Sequence, residues 1–167
     1  MKKIFDEIFA IMDQSFPNNE MRTYEGQLAL LDREGYKVVY EKNEDGKIIA
    51  FMTVWETDNF TFIEHLATTE ECRGKGVGSK LLKNYIKSSK VPVILEVEPP
   101  ETSAIAKRRI GFYERIGFKL NEYFYEQPAL RHDTEKCELK IMSYPNFLDK
   151  ETFSMIQNEL YKKIYQV

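Results

Sequence analysis

The sequence has few cysteines and histidines, and it has no long apolar run. Its two cysteines, Cys72 and Cys137, stand far apart, without a CxxC pair or nearby histidines. Neither a zinc site nor a structural disulfide is therefore expected. No apolar run approaches the ~20 residues that a membrane-spanning helix needs. The opening residues mix acidic with apolar side chains, unlike a signal peptide. We therefore expect a cytoplasmic protein without a metal site or a membrane partner.

The chain also lacks a strong excess of either charge. Its 24 basic and 27 acidic residues give a net charge of −3. Binding of nucleic acid by counterion release needs a broad basic surface. The composition thus argues against a nucleic-acid partner, although it allows a small basic site. The 167 residues, of which 43% are apolar, are enough for one domain with a substantial core.

Apolar periodicity predicts the order of the secondary-structure elements. Helical spacing of apolar residues marks 2–15, 77–89, 103–117 and 149–165, and a short second helix precedes Gly35. Stretches rich in β-branched and aromatic residues predict six strands: YKVVYEK, KIIAFMTVWET, FTFIEHLAT, VPVILEVE, KLNEYFYEQ and CELKIMSY. Hairpins come first and a single strand–helix–strand crossover follows. This order predicts an α/β (α+β) fold with a mixed, mostly antiparallel sheet flanked by helices on both faces.

Three of the eight glycines fall within Arg73-Gly-Lys-Gly-Val-Gly78, between a predicted strand and a predicted helix. The first amides of a helix have no partner inside the helix, and glycine lets an anion approach them closely. Such a turn can hold a phosphate group, although a Gly-rich turn with solvated charges has the same composition. The spacing matches neither the nucleotide P-loop nor the dinucleotide-binding glycine pattern.

Two stretches together resemble the GNAT superfamily of N-acetyltransferases. FIEHLATTEECRGKGVGSKLL resembles the acetyl-CoA signature of that family, and AKRRIGFYERIGF resembles its later helix, which carries a tyrosine shortly before Gly-Phe. The strand VPVILEVE lies between them, as the family order requires. The resemblance covers residues 15–145. It implies a GNAT fold in which two parallel strands splay apart at the acetyl-CoA site, with CoA as a product.

The resemblance also implies which residues bind acetyl-CoA. The amides of 73–79 would hold the pyrophosphate, and the strand ending at Thr68 would hold the pantetheine. Ala106 occupies a position where the family often has asparagine. The family's N-terminal first strand is hard to find, because the chain opens directly in helix 2–15. The implied cofactor-binding residues are Leu66, Ala67, Thr68, Arg73, Gly74, Lys75, Gly76, Val77, Gly78, Ser79, Ala106 and Tyr113.

Acetyl transfer to an amine needs a base and a group that stabilises the departing sulfur. Glu64 is the first candidate base, since strand alternation puts it on the same face as Leu66 and Thr68 and puts His65 on the opposite face. Glu96 is the second candidate, either as a base or as a carboxylate that binds an ammonium group. Tyr113 matches the tyrosine that faces the CoA sulfur in the family. Direct transfer is expected, without a cysteine intermediate.

The acceptor is left open by the sequence. In the family, the loop between the first two helices and the last hairpin wall the acceptor groove. The candidate lining residues are Arg22, Tyr24, Glu98, Tyr125 and Arg131. The glutamates suggest a cationic amine, whereas Arg22 and Arg131 suggest an acceptor with a carboxylate. A small molecule, an amino acid and a peptide therefore all remain open.

We divide the chain into a GNAT domain, 1–145, and a C-terminal helical extension, 146–167. The apolar stripe of that extension is expected to dock on the same domain or on a second subunit, which allows a homodimer. The alternative function is a non-catalytic acyl-CoA-binding sensor or partner module. Hydrolysis of a nucleoside triphosphate is disfavoured, because the P-loop lysine spacing is missing.

Overall fold

Six strands form one sheet that helices cover on both faces. The computed structural model describes residues 1–167. Its strands are Tyr36–Lys42 (β1), Ile48–Glu56 (β2), Thr61–Thr68 (β3), Val93–Val97 (β4), Lys119–Gln127 (β5) and Cys137–Tyr144 (β6). Its helices are Lys2–Ser15 (α1), Tyr24–Ala29 (α2), Val77–Ile86 (α3), Ala104–Ile116 (α4) and Lys150–Glu159 (α5). The strand order β1-β2-β3-β4-β6-β5 confirms the predicted fold class.

The sheet opens between its two parallel strands. All neighbouring strands are antiparallel except β3 and β4, which pair over only three residues each, from Thr61↔Val93 to Ile63↔Leu95. Beyond that point β3 stays paired with β2, and β4 stays paired with β6. The two strands therefore diverge, as the family resemblance predicted. The edge of β3 that faces the gap keeps unpaired backbone groups, which a ligand can use.

Strand β3 contains a bulge at Glu64. Thr53 of β2 pairs with His65 and the next residue, Val54, pairs with Ile63, so Glu64 has no partner on β2. A bulge inserts one extra residue into a strand and breaks the strict alternation of side chains.

The bulge makes the predicted face of Glu64 wrong. Glu64 accepts a hydrogen bond from the indole Nε1 of Trp55 at 2.8 Å, on the face that α1 and α5 cover. His65 lies on this same face, where its ring contacts the ring of Phe16. Leu66 packs on the opposite face, against α3 and α4. Glu64 and His65 thus share a face, and Glu64 does not share one with Leu66.

Each face of the sheet has its own core. One face packs against α3 and α4, through side chains such as Leu82 and Ile110. The other packs against α1 at one end of the sheet and α5 at the other. Residues 1–35 form helices and turns, so the sheet has no strand before β1. None of the helices combines the length and the apolar character needed to cross a bilayer.

The chain ends in a π-helical turn rather than in the regular helix predicted to residue 165. Helix α5 stops at Glu159, and Leu160–Tyr165 continues it with π-helical hydrogen bonding. Leu160 and Ile164 are almost fully buried in the core that α5 shares with the sheet. The C-terminal residues are therefore anchored against the sheet of the same chain.

Candidate active site

A cleft of about 790 Å³ runs from the N-terminus of α3 into the gap between β3 and β4. Residues from both diverging strands, from the loop before α3, from α4 and from the end of α1 line it. The predicted site residues that line it are Glu64, Leu66, Ala67, Thr68, Arg73, Gly74, Gly76, Val77, Gly78, Ser79, Glu96, Glu98 and Tyr113. The fold therefore brings together residues from β3, the start of α3 and the loop before it, the end of β4 and α4.

One end of the cleft is formed by backbone amides. The amides of Gly74 and of 76–79 donate no hydrogen bond to another backbone group, because the N-cap of α3, Gly76, follows a turn rather than a helix. The amides of Arg73 and Lys75 already donate to carbonyl groups of the preceding turn. The predicted anion cradle is thus narrower than 73–79, and it includes the positive end of the α3 dipole.

The glycines of this loop keep the cradle open. Gly74 and Gly76 have φ of +75° and +77°, and a Cβ on either would meet no protein atom within 4 Å. A side chain there would project into open space beside the free amides, where an anion has to approach. At Gly78 a Cβ would lie 3.2 Å from Cγ2 of Thr68, so this glycine lets α3 start close to β3. The residues present therefore fit a diphosphate.

Tyr113 of α4 lines the cleft. It is 9% exposed and packs edge-on against the rings of Phe112 and Phe118. Burial raises the pKa of Tyr113 to about 12, and the positive charge of Arg109 opposes this only in part. The hydroxyl is thus protonated at neutral pH and can donate a hydrogen bond into the cleft.

Glu64 is held by two donors. Its Oε1 accepts from the Arg22 guanidinium at 2.5 Å and its Oε2 accepts from Trp55 at 2.8 Å, and its side chain is only 2% exposed. Burial raises the pKa of Glu64, but the charge of Arg22, the nearby His65 and the two hydrogen bonds together bring it below its usual range. A carboxylate with both oxygens occupied and a low proton affinity is a poor base.

Glu96 is in the opposite situation. It lies on the same sheet face as Glu64, one residue beyond the last parallel pair. Its Oε1 accepts from the Tyr165 hydroxyl, whereas its Oε2 is buried and has no hydrogen-bond partner. Burial raises the pKa of Glu96 to about 8, and the hydrogen bond from Tyr165 and the influence of Tyr125 oppose that rise. A base with a pKa near the working pH is well suited to accept a proton.

A second carboxyl pair lies further along the cleft wall. Burial raises the pKa of Glu20 to about 7, with a further rise from the neighbouring Glu98 and a partial reduction from Arg109. Both glutamates line the cleft. Because Glu20 belongs to a turn without periodicity, the sequence named its loop as a groove wall but not this residue.

Other predicted residues lie outside the cleft wall. Lys75 is exposed, and Ala106 is buried inside α4. Tyr24 donates to Asp6 at 2.6 Å on the surface of α1. Tyr125 is fully buried next to Glu96, and this burial together with the charge of Glu96 raises the pKa of its hydroxyl well above the usual value.

The two arginines considered for a carboxylate acceptor are both engaged. Arg22 pairs with Glu64. Arg131 donates from Nε to the carbonyl of Met21 at 2.9 Å and from Nη2 to the carbonyl of Arg22 at 3.2 Å. Neither guanidinium lines the cleft.

The sequence patterns did not point to Tyr165 or Gln127 as site residues. Tyr165 stands 69 residues from Glu96, at the end of the π-helical turn, yet its hydroxyl contacts that carboxylate. Gln127 is almost fully buried at the end of β5 and lines the cleft. A tyrosine among the apolar residues of an amphipathic helix is normally assigned to the core, so only the tertiary structure reveals this contact.

Comparison with known proteins identifies the family of this chain. The model of the acetyltransferase (GNAT) family matches residues 2–118. The curated Bacillus subtilis (strain 168) protein "Putative acetyltransferase YjbC" is 36% identical over 157 residues, which cover 92% of this chain and 79% of that protein.

Solved structures share the whole architecture. A structure named "Putative acetyltransferase from GNAT family" from Bacteroides thetaiotaomicron superposes with a TM-score of 0.89 at 32% identity, covering 99% of this chain and 93% of that one. Arabidopsis thaliana NAA60, crystallised with acetyl-CoA, superposes with a TM-score of 0.63 at 15% identity, covering 85% of this chain and 93% of that one. A family match over most of the chain and a curated relative above 30% identity agree with each other. The chain belongs to the GNAT family and is an acetyltransferase.

Proposed function

We propose that the protein transfers the acetyl group of acetyl-CoA directly to a primary amine of a small molecule, an amino acid or a peptide, and that a cationic amine is the preferred acceptor. One observation carries the proposal. The free amides at the head of α3 open onto the same cleft as Glu96, the one glutamate of the gap whose pKa is raised to about 8. An anion cradle and a base thus face one continuous space.

Acetyl-CoA fits the residues that line this space. The amides of Gly74 and of 76–79 would hold the pyrophosphate, with the exposed Arg73 beside them. The unpaired edge of β3, including Leu66 and Thr68, would hydrogen-bond the pantetheine. The bound thioester supplies an activated acetyl group. Every later step needs only a base for the amine and a donor for the leaving sulfur.

Glu96 is proposed as the base. A free aliphatic ammonium has a pKa of about 10.4, so an ordinary carboxylate near 4.3 would accept its proton at a cost of roughly six pKa units. A pKa of about 8 for Glu96 reduces that difference to roughly two units. The neutral amine then attacks the acetyl carbonyl carbon, the C–N bond forms and the C–S bond breaks. Glu64, bound to Arg22 and Trp55, instead stabilises the site electrostatically.

Tyr113 is proposed to donate a hydrogen bond to the departing sulfur. With a pKa of about 12, it is a weaker acid than a thiol of about 8.5, so full proton transfer to the thiolate is unfavourable. A hydrogen bond to developing charge in a buried site nevertheless stabilises the transition state. Tyr113 thus keeps its proton and lowers the energy of the leaving group.

The cationic preference rests on the charges along the acceptor end of the cleft. Glu20, Glu96 and Glu98 line it, and the arginines that would favour a carboxylate, Arg22 and Arg131, are bound elsewhere. Arg109 is the remaining arginine of that wall, and it lies beside Glu20 and offsets part of the negative charge. When they are ionised, these carboxyl groups favour an acceptor that carries positive charge.

An acceptor screen tests the function. The protein is incubated with acetyl-CoA and a panel of cationic amines, amino acids and peptides, while release of the free thiol is followed. We expect turnover with cationic amines that disappears in the Glu96→Gln variant. Silence across the whole panel, with acetyl-CoA still bound, would replace this proposal by the alternative of a non-catalytic acyl-CoA sensor.

A further inference from the structure

The last side chain of the π-helical turn reaches the proposed active site. Tyr165 closes the π-helical turn, and its hydroxyl donates to Oε1 of Glu96. The same hydroxyl accepts a hydrogen bond from Nε2 of Gln127 at 3.3 Å. Because an amide NH₂ only donates, Gln127 leaves the Tyr165 proton pointing at the carboxylate.

The ring of Tyr165 packs beside Arg22 and Phe62. The Arg22 guanidinium carbon lies 6.0 Å from the ring centroid, and the Phe62 ring lies at 6.4 Å. Arg22 is also the ion-pair partner of Glu64. The tyrosine thus stands between the two glutamates of the gap and touches the surroundings of both.

The backbone of the turn is fixed as well. The amide of Val167 donates to the carbonyl of Tyr161 at 2.9 Å, and Gln166 adopts the left-handed conformation that ends the turn. The hydroxyl of Tyr161 donates to the carbonyl of Glu126 at 2.6 Å. π-helical turns inside helices are frequent at functional sites. Here the turn delivers two tyrosine hydroxyls to the end of β5, and only the second one reaches Glu96.

We propose that Tyr165 is a positioning residue for the Glu96 carboxylate, because it occupies Oε1 and leaves Oε2 to accept the proton of the incoming amine. This inference rests on the proposed function, in which Glu96 is the base. Oε2 is the buried oxygen that has no partner in the protein. The amine proton passes to Oε2, and Tyr165 keeps its own proton throughout.

The charges around Glu96 support this division of roles. Burial and the nearby Glu96 charge raise the pKa of Tyr165 well above its usual value, so the phenol stays protonated. The other ionisable groups that face Glu96 are Glu64 of β3, Arg22 of the loop after α1, Tyr125 of β5 and Cys137 of β6. Tyr165 donates directly to Oε1 of the carboxylate, and Tyr125 lies close enough to lower the pKa of Glu96 as well.

The variant Tyr165→Phe removes the hydroxyl and keeps the ring. Without that donor, the negative form of Glu96 is less stable, so its pKa rises. We expect the acidic limb of the pH profile of kcat/KM to move up by about one unit, with a three- to tenfold loss of kcat/KM at pH 7 that high pH recovers. The KM for acetyl-CoA should stay unchanged. A merely structural role would lower the rate equally at every pH.

Tyr161→Phe is the matched control. It removes a hydroxyl from the same turn, and that hydroxyl bonds the carbonyl of Glu126 instead of Glu96. We expect its acidic limb to stay at the wild-type position. If the acidic limb of the kcat/KM profile moves equally in Tyr165→Phe and Tyr161→Phe, or in neither, Tyr165 does not position Glu96.

A second measurement separates this inference from the proposed function. Carbon-13 NMR of the glutamate carboxyl groups, with Glu96 identified through Glu96→Gln, follows the carboxyl in the protein without any substrate. Its titration midpoint should move up in Tyr165→Phe and stay in place in Tyr161→Phe. If this shift occurs but no amine is acetylated, the contact stands and the proposed function fails. An unmoved midpoint overturns the inference even in an active enzyme.

A third variant guards against a folding defect. Incorporation of 3-fluorotyrosine at position 165 retains the shape of the side chain and makes the phenol a stronger donor. The acidic limb should then move down, opposite to its direction in Tyr165→Phe. Movement in the same direction for both variants would contradict a hydrogen bond to the carboxylate.

Discussion

Glu64 and Glu96 show how neighbouring side chains set the proton affinity of a glutamate. Both follow the last paired residues of the two parallel strands. Glu64 touches a guanidinium and an indole N–H, so its pKa falls below the usual range despite burial. Glu96 has no cationic donor and accepts from the phenol of Tyr165, so burial prevails and raises its pKa to about 8. The two carboxyls can thus take opposite parts in one reaction, as a fixed charge and as a base.

Tyr113→Phe should separate chemistry from binding. The substitution removes the proposed hydrogen bond to the departing sulfur and keeps the packing against Phe112 and Phe118. We expect kcat to fall by about tenfold to a hundredfold, within the range for loss of one group that stabilises a transition state. The affinity for acetyl-CoA, measured by calorimetry, should change less than threefold.

The control for that substitution is Tyr123→Phe. Tyr123 donates to the carbonyl of Leu148 at 3.2 Å and does not line the cleft. The Tyr123→Phe variant should turn over at the wild-type rate. An unaltered rate in Tyr113→Phe would remove Tyr113 from the mechanism.

At the scale of elements, the turn before α3 and the bulge in β3 decide the site. The turn was readable from the sequence, because glycines next to a predicted helix start are local features. The bulge was not, because it depends on the pairing of β3 with β2, and no residue at Glu64 marks it. The predicted face of Glu64 was wrong for this reason. The predicted directions of Glu96 and Tyr113 depended on a strand and a helix without such a bulge.

Gly76→Ala tests the turn. A methyl group there would extend into the open space beside the free amides and would force a side chain into the left-handed region, at φ of +77°. We expect the affinity for acetyl-CoA to fall at least tenfold, as measured by calorimetry. The backbone strain itself should lower stability by about 1 kcal/mol.

Gly46→Ala is the matched control for strain. Gly46 has φ of +78°, and a Cβ there also meets nothing within 4 Å, but it lies in the β1–β2 hairpin away from the cleft. It should lose similar stability and bind acetyl-CoA normally. Equal losses of affinity in the two variants would contradict the anion cradle.

At the scale of the whole molecule, the proposed base weakens the fold that carries it. In the unfolded chain Glu96 loses its proton near pH 4.3. In the folded protein it keeps the proton until about pH 8. A group whose pKa is higher in the folded protein stabilises the fold fully at pH values below its unfolded-state pKa. This stabilisation is lost as the pH rises toward its folded-state pKa. The folded state therefore loses stability from Glu96 between about pH 4.3 and pH 8.

Glu96→Gln should remove this loss. Relative to the wild type, the variant is expected to gain at least about 1 kcal/mol of unfolding free energy at pH 9, since one pKa unit corresponds to about 1.4 kcal/mol. At pH 4 the unfolding free energies of Glu96→Gln and the wild type should differ little from this cause. Urea denaturation at several pH values measures the trend.

Glu56→Gln provides a control of opposite sign. Glu56 lies at the surface, where the hydrogen bond from Lys37 lowers its pKa. Its contribution to folding stability is therefore present at pH values above its unfolded-state pKa and is lost as the pH falls. Its variant should lose a little stability at neutral pH. A difference between Glu96→Gln and wild type that is constant with pH would contradict the raised pKa of Glu96.

Sequence patterns were enough to predict the elements, their order and the glycine-rich turn before α3. Apolar periodicity and helix-start amides depend on residues close in the chain, so local patterns were enough to predict them. The tertiary structure alone decided which glutamate can accept a proton, and it brought Tyr165 and Glu20 to the cleft. Proton affinity depends on burial and on charges a few ångströms away, and those neighbours come from strands and turns distant in sequence.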